Sequence, residues 1–550
     1  MKLTTITFLL GLPLLFANVT TLESATTKVS DSSISGITVS LLNHENDALT
    51  NRITLAATNH FTITVTDVPQ DIWFIVLQIH TFQYNVTLAY DKRALNKESD
   101  RSLFGSNIGL YLKTHNVTDP IQVFLMHDNT HDIEGLLVIV PYSRNAPIPG
   151  GCNMEFDIEI APYQKLHAGN EIITVDTQPG SVLAANGSLL SCEKQLVQHR
   201  MYRLYLTRQD FTPDTYFEAI ASMVTPQDIV RNGDKIPSSA YGTSMRHFYS
   251  AYTGVGSVYA AVATYGNYSS AYVPTFTYAC SPLSSKSCQV LNDTFPKVIC
   301  WLALIIGFVL VFGGHNCVPI DRWLPILIIS SFFWYTFAVV ISNLSITINL
   351  LIALIMVSCT IVLSMILGYF KKFPVISFTY NLPMGLLCAC VTYLYAPAEW
   401  FYIMENDELF WLLFVSIMLT VSVLLSINRS VANVIKYTVY ESLFVILAID
   451  YFAESSLKYI FITTMRRILV SGFRSAFVYP PYQGAEKALV IFWFLLMIIR
   501  FITKFCHGGD EANPERAPLL PFTLRKMPTQ PSIIVVKRLN VFTKLRYNRS

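Results

Sequence analysis

Three groups of residues in this 550-residue chain have types and spacings that could do chemistry. The first is His127-Asp128-Asn129-Thr130-His131-Asp132, four potential metal ligands within six residues. Imidazole with carboxylate is a donor set for zinc or calcium. The same residues suit a polar turn between strands, where Asp and Asn are favoured. No further ligand is identifiable nearby, so no metal and no cofactor is assigned. The second group is Lys436, Glu441 and Asp450, all within one long apolar run. Ionisable groups inside a membrane are costly and are functional candidates by default. Glu441 and Asp450 are nine residues apart, which at about 100° per residue puts them on opposite helix faces, so they cannot form one paired site. Lys436 and Asp450 sit near the ends of the run and can snorkel; Glu441 is the deep one. The third group is Glu515-Arg516-Ala517-Pro518-Leu519-Leu520. It fits the acidic-dileucine pattern that clathrin adaptors read, an acid against a basic patch with two leucines filling an apolar groove. A nucleophile elbow, a phosphate loop and a redox Cys pair are all missing from the sequence. Cys388 and Cys390 point about 200° apart on a helix and cannot chelate together. An enzyme is not expected.

The elements that position these groups divide the chain in two. The composition is 52% hydrophobic and 14% charged, against about 25% charged in a soluble protein. A net charge of +2 gives no nucleic-acid signal. From residue 298 onward, apolar runs alternate with short polar breaks. A crossing helix needs about 20 mostly apolar residues, and the pattern predicts seven: 298–314, 323–342, 347–370, 374–396, 409–427, 434–452 and 488–505. Arg322, Lys371, Lys372 and Arg429 then fall in cytosolic loops, and the acid-rich loop 397–408 falls outside, as the positive-inside rule requires. Arg516, Arg525, Lys526, Lys537 and Arg538 place the tail in the cytosol. One segment violates the rule. Lys458, Arg466, Arg467, Arg474 and Lys487 lie on the side that should lack them. Residues 459–478 look amphipathic, so the sequence predicts a surface helix at the lipid interface, or else an even number of spans and a luminal tail.

The first half reads as exported. Lys2 precedes a short apolar run, residues 6–16, which predicts a signal peptide over 1–17. Glycosylation sequons begin at Asn85, Asn116, Asn186, Asn267 and Asn292, all before the first span. Cys152, Cys192, Cys280 and Cys288 lie in the same part. Four cysteines allow three pairings; Cys152 with Cys192 and Cys280 with Cys288 are favoured because short loops close most easily. Cys506, just past the last span, is a candidate for palmitoylation or a free thiol. Runs rich in β-branched and aromatic residues at 61–65, 71–90, 121–126, 135–142, 155–160, 171–175, 201–206 and 256–278 predict strands. A short helix is expected near Glu218–Met223. Many strands broken by turn clusters argue β-sandwiches. The Pro/Gly cluster at 147–151 divides them, giving β-rich modules over 18–146 and 147–297, a seven-span domain over 298–505 and a cytosolic tail over 506–550. The fold class is an all-β, sandwich-like, two-module ectodomain on an α-helical seven-span bundle. The aromatic stretch 249–278 offers either contact residues or buried core; core is the better fit.

Seven-span receptors and seven-span hydrolases are disfavoured by detail. The third span ends Gly368-Tyr369-Phe370-Lys371-Lys372 and the seventh reads Met497-Ile498-Ile499-Arg500, without the G-protein-coupled receptor motifs. The membrane half has only His315 and His507, too few to hold a catalytic zinc.

Several stretches carry a resemblance. They are Pro147-Ile148-Pro149-Gly150-Gly151-Cys152-Asn153-Met154-Glu155-Phe156-Asp157, Asn267-Tyr268-Ser269-Ser270-Ala271-Tyr272-Val273-Pro274-Thr275-Phe276-Thr277-Tyr278-Ala279-Cys280, Phe312-Gly313-Gly314-His315 and Leu447-Ala448-Ile449-Asp450-Tyr451. In these the chain resembles the transmembrane 7 superfamily member 3 family, as a distant member. Asp450 belongs to the shared pattern and Glu441 does not. The resemblance implies a role in cell survival and protein homeostasis through restraint of endoplasmic-reticulum stress, with no catalytic residues to carry over. Two functions stand at this stage. One is a non-enzymatic sensor or adaptor whose ectodomain binds a luminal or extracellular protein partner. The other is a proton- or ion-coupled transporter or channel working through Glu441 and Asp450; an orphan seven-span receptor is a further alternative. Expected surroundings are membrane lipid, clathrin adaptors on the tail, and the plasma membrane or the endosomal-lysosomal system, with the N-terminus luminal or extracellular.

Overall fold

A computed structural model describes residues 36–508, apart from short stretches at 43–46, 58–59, 96–99, 116, 118–119, 185–186, 195, 239–244, 282–287, 289–293, 313–317, 342–343, 369–377 and 379. The expected signal peptide, the sequons at Asn116, Asn186 and Asn292, and the tail with Glu515, Leu519 and Leu520 lie outside the described residues.

Two β-sandwiches follow one another. In the first, β1 (Gly36–Ser40), β3 (Phe61–Thr66), β8 (Ile121–Met126), β5 (Val86–Ala89) and β6 (Ser102–Gly105) form one sheet in that order. β2 (Leu49–Leu55), β9 (Ile133–Ser143), β4 (Ile72–Thr81) and β7 (Asn107–Lys113) form the other. In β3 the inward residues Ile63 and Val65 alternate with threonines, the pattern of a sheet with one covered face. β4 and β9 are buried along almost their whole length, because their sheet is covered on both sides. One face packs on the first sheet and the other on the second sandwich. Tyr142 on β9 accepts from Ala271 N–H at 2.9 Å, and a side chain at Gly109 on β7 would collide with Val273. One continuous core runs through both modules.

In the second sandwich, β10 (Lys165–Ala168), β11 (Ile172–Asp176) and β14 (Arg246–Ser250) lie opposite a sheet of β13 (Asp234–Lys235), β12 (Gln198–Arg208), β15 (Val255–Tyr265) and β16 (Tyr268–Ala271), with β17 (Thr275–Thr277) also on β15. The strand expected at 155–160 is a loop instead. Asn153 organises it: its Oδ1 accepts from Glu155 and Phe156 N–H, and its Nδ2 donates to the Phe156 and Ile158 carbonyls. These local bonds replace a ladder. The helix expected near 218–223 starts earlier, at Pro213–Ala221, and a second follows at Pro226–Asn232. Each opens on Thr-Pro, with proline pre-set for the first turn, and Thr225 accepts from Asp228 N–H at 3.1 Å. Cys152 is bonded to Cys192 and Cys280 to Cys288. Asn85 and Asn267 are exposed.

The second half is helical, with helices Thr294–Phe312, Val318–Ile341, Ile346–Gly368, Leu382–Leu394, Asp407–Ile427, Arg429–Phe452 and Gly484–Gly508 over the seven predicted spans. Among the described residues, Asp407–Ile427 and Val431–Phe452 are long and apolar enough to cross a membrane. Leu382–Leu394 and Ala398–Glu405, bent by 100°, give up to a third span, and Lys297–Phe312, Ser330–Ile341 and Ile348–Leu363 are shorter apolar helices. Gly385 lets Leu382–Leu394 approach Asp407–Ile427 closely, since a Cβ there would collide with the Met418 carbonyl. Asn381 and Pro383 mark a helix start within the fourth predicted span: Asn381 is the cap residue and proline follows in the first turn.

Candidate functional site: the joint between ectodomain and bundle

The basic segment between the last two long helices folds as helix Tyr459–Leu469, a short turn and strand β18 (Ala476–Phe477). β18 pairs in parallel with β14, placing Phe248 opposite Ala476 and Tyr249 opposite Phe477, and so completes an ectodomain sheet. The amphipathic signal was real, but the helix is covered by protein: Tyr459, Ile460, Thr463, Thr464 and Arg467 are buried.

Each of the five cations has a partner here. Arg466 Nη1 donates to Ala251 O at 2.6 Å and Ser250 Oγ at 3.3 Å, and its Nη2 to Asn170 O at 3.2 Å. Arg467 donates to Met404 O at 2.7 Å and to the Asp407 carboxylate. Arg474 Nη1 reaches the other oxygen of Asp407 at 3.2 Å. Lys458 Nζ lies 3.9 Å from Asp450, and Lys487 sits over the Tyr482 ring at 5.8 Å. Asp407 of the acid-rich loop thus receives two cations of the basic segment, Arg467 and Arg474.

The ectodomain contributes its own groups. Tyr252 OH donates to Val478 O, Tyr205 OH to Tyr479 O at 3.1 Å, and Gln483 Nε2 to Leu206 O at 2.6 Å. Arg208 Nη2 donates to Ser456 Oγ and lies 3.4 Å from Glu486. Arg203 is fully buried between the rings of Tyr205, at 4.1 Å, and Phe477, at 5.2 Å, and donates to Tyr479 O at 3.1 Å. Most of the tyrosines of 249–278 are core: Tyr249, Tyr252, Tyr259, Tyr272 and Tyr278 are buried.

The structure separates Glu441 from Asp450. Glu441 is fully buried and forms a two-pronged ion pair with Arg500 of the last helix, with Nη2 to Oε1 at 3.1 Å. Arg500 is a deep ionisable residue that the acidic residues of the sixth span do not point to. Its position in an apolar run was the available signal. Asp450 closes the turn into the joint: one oxygen accepts from Ser455 OH and from Leu457 N–H at 2.8 Å, the other from Lys458 N–H at 2.9 Å. Lys436 is buried.

The His/Asp cluster is a turn. His127 Nε2 lies 3.1 Å from Leu55 O, its Nδ1 accepts from Asn129 N–H at 3.2 Å, and Asp132 accepts from Ala57 N–H at 3.0 Å. Among the described residues no group of three or more His, Cys, Asp or Glu could hold a metal ion.

Two β-sandwiches in series, seated by hydrogen bonds and a shared sheet on an apolar helical bundle, define a class of membrane protein with a built-on ectodomain. Family models agree part by part. A TM7SF3-like N-terminal immunoglobulin-like domain matches residues 40–142, a TM7SF3-like second immunoglobulin-like domain 147–283, and a TM7S3/TM198-like domain 300–505. The chain belongs to the transmembrane 7 superfamily member 3 family, as a distant member. It is 25% identical to human transmembrane 7 superfamily member 3 over 446 residues, 78% of this chain and 77% of that one. It is 24% identical to the rat protein over 445 residues, 78% of each. Among solved structures, the glycoside hydrolase domain of Endo-D from Streptococcus pneumoniae R6 aligns over 42% of this chain and 33% of that one, at 11% identity and a TM-score of 0.12, and carries no argument.

Proposed function

We propose that this chain is a non-enzymatic sensor or adaptor of the luminal or extracellular space, which restrains endoplasmic-reticulum stress and supports protein homeostasis. The bundle crosses the membrane seven times, with the ectodomain and the joint on the luminal side and the tail in the cytosol. The single observation behind this reading is the joint. A segment between two bundle helices completes an ectodomain sheet, so a partner bound by the ectodomain acts on the helices through a fixed connection. The partner is a luminal or extracellular protein. The tail motif at Glu515, Leu519 and Leu520 recruits clathrin adaptors and routes the chain through the endosomal-lysosomal system. Proton-coupled transport is the weaker reading, because Glu441 faces an arginine and Asp450 is occupied by three donors.

The test uses cells lacking the protein under a luminal-folding stress. Rescue by wild type is compared with rescue by Glu441→Leu combined with Arg500→Leu, expressed and trafficked equally. The sensor reading predicts full rescue. Loss of rescue by the folded variant would return the search to charge movement in the membrane.

A further inference from the structure

A cleft of about 940 Å³ is lined by both sandwiches, at the upper end of the range for sites that hold a bound group, about 300–1,000 Å³. Two sheet ends meet in it. β6 is the last strand of its sheet and β10 of its own. Ser102–Gly105 of β6 and Lys165, Leu166 and His167 of β10 all line the cleft. An uncovered strand edge is a template for another chain, and native proteins cover such edges. Phe104 of β6 is also 68% exposed.

Asn85 is a wall of the same cleft. It begins the sequon Asn85-Val86-Thr87, sits just ahead of β5 and is exposed. Thr87 is the register partner of Phe104, and alternate residues of a strand share a face. Asn85, Thr87 and Phe104 therefore lie side by side, with directly opposed Cβ atoms about 4.5–5.5 Å apart. The Asn85 amide makes no hydrogen bond among the described residues, so its Nδ2 is free to carry a sugar. Asp128 and His167 line the cleft, are exposed, and make no ion pair among the described residues, which leaves them open to sugar hydroxyls. Asn267 is the contrast. Its sequon tops the hairpin between β15 and β16, where a Cβ on Gly266 would meet nothing within 4 Å.

We propose that Asn85 carries an N-linked glycan whose first sugars lie in this cleft, with the apolar face of a pyranose against the Phe104 ring and the chain covering the ends of both sheets. The modification forms the bond from Asn85 Nδ2 to the anomeric carbon and breaks that carbon's bond to the pyrophosphate of a lipid-linked oligosaccharide. The amide proton leaves with the lipid pyrophosphate. A bulky, hydrophilic group there shields an exposed ring and keeps out an incoming strand. The inference rests on the luminal placement of the ectodomain proposed above.

The full chain is purified in detergent from glycosylating cells and treated with peptide N-glycosidase, native and denatured, and the glycopeptides are quantified by mass spectrometry. Both Asn85 and Asn267 are expected to be occupied. Release at Asn267 should be nearly as fast from the native chain as from the denatured one. Release at Asn85 should be about tenfold slower from the native chain, equivalent to ~1.4 kcal/mol of contact between sugar and cleft. Phe104→Ala, at an exposed position, should bring native release at Asn85 to within about twofold of the denatured rate and leave Asn267 unchanged. Fast native release at Asn85 in wild type, or an unmodified Asn85 beside an occupied Asn267, overturns the proposal. Both asparagines bare overturn the luminal placement with it. Protection that survives Phe104→Ala overturns the seat against that ring.

Discussion

Arg466 Nη1 donates to the carbonyl of Ala251 at 2.6 Å, across 215 residues of sequence. The positive-inside rule, applied to seven predicted spans, makes Arg466 a misfit. By structure it is a bolt through the ectodomain. The positive-inside rule concerns charges facing water and lipid headgroups during insertion; this cation is matched by ectodomain carbonyls.

Replacing Arg466 with Ala removes the donors to Ala251, Ser250 and Asn170. The loss should be about 1–3 kcal/mol, the range for a lost charged hydrogen bond. Thermal unfolding should separate into an ectodomain step and a bundle step, with earlier proteolysis in 470–483. A single unshifted transition would show that Arg466 carries no load.

The Glu441–Arg500 pair makes a prediction about singles against doubles. Glu441→Gln leaves a buried guanidinium, and Arg500→Gln leaves a buried carboxylate, each at about 3–5 kcal/mol. Glu441→Leu with Arg500→Leu leaves no charge and should recover most of that loss. Thermal stability in detergent measures it. A double variant as unstable as the sum of the singles would rule out this pairing.

Acidification should loosen the first sandwich. His80 is fully buried, with Nδ1 2.8 Å from Asn107 Oδ1 and Nε2 3.1 Å from the Gln78 amide, and burial lowers its pKa to about 4. The unfolded chain takes up a proton near pH 6.5, before the folded one does. Stability is therefore full above about pH 6.5 and falls as pH drops toward 4, by up to ~3 kcal/mol. His199 in the second sandwich, lowered to about 4 chiefly by burial, acts in the same direction. Melting of the full chain between pH 7 and pH 4.5 tests this; His80→Gln should flatten the curve. An unchanged pH dependence in that variant would remove His80 as its source.

Much of the fold is legible because it is local. Alternation in Phe61–Thr66 and the unbroken apolar run of Ile72–Thr81 announce one-sided and two-sided burial. The Thr-Pro starts at Thr212 and Thr225 were visible helix signals that strand-rich surroundings obscured. The joint was half legible. Periodicity marks 459–478 as amphipathic but cannot say what covers it, because its contacts reach back more than 200 residues. Glu441 was singled out without its partner. No spacing rule links Glu441 to Arg500, 59 residues away.

The most direct test of the account joins Phe248 to Ala476, register partners on β14 and β18. Cysteines at both positions of the full chain, in native membranes, should form a disulfide under mild oxidation. It would be read as a cross-link that survives protease cleavage between the ectodomain and the bundle. Absence of the cross-link, with position 476 labelled freely by a bulky thiol reagent, would contradict a joint in which the bundle completes the ectodomain sheet.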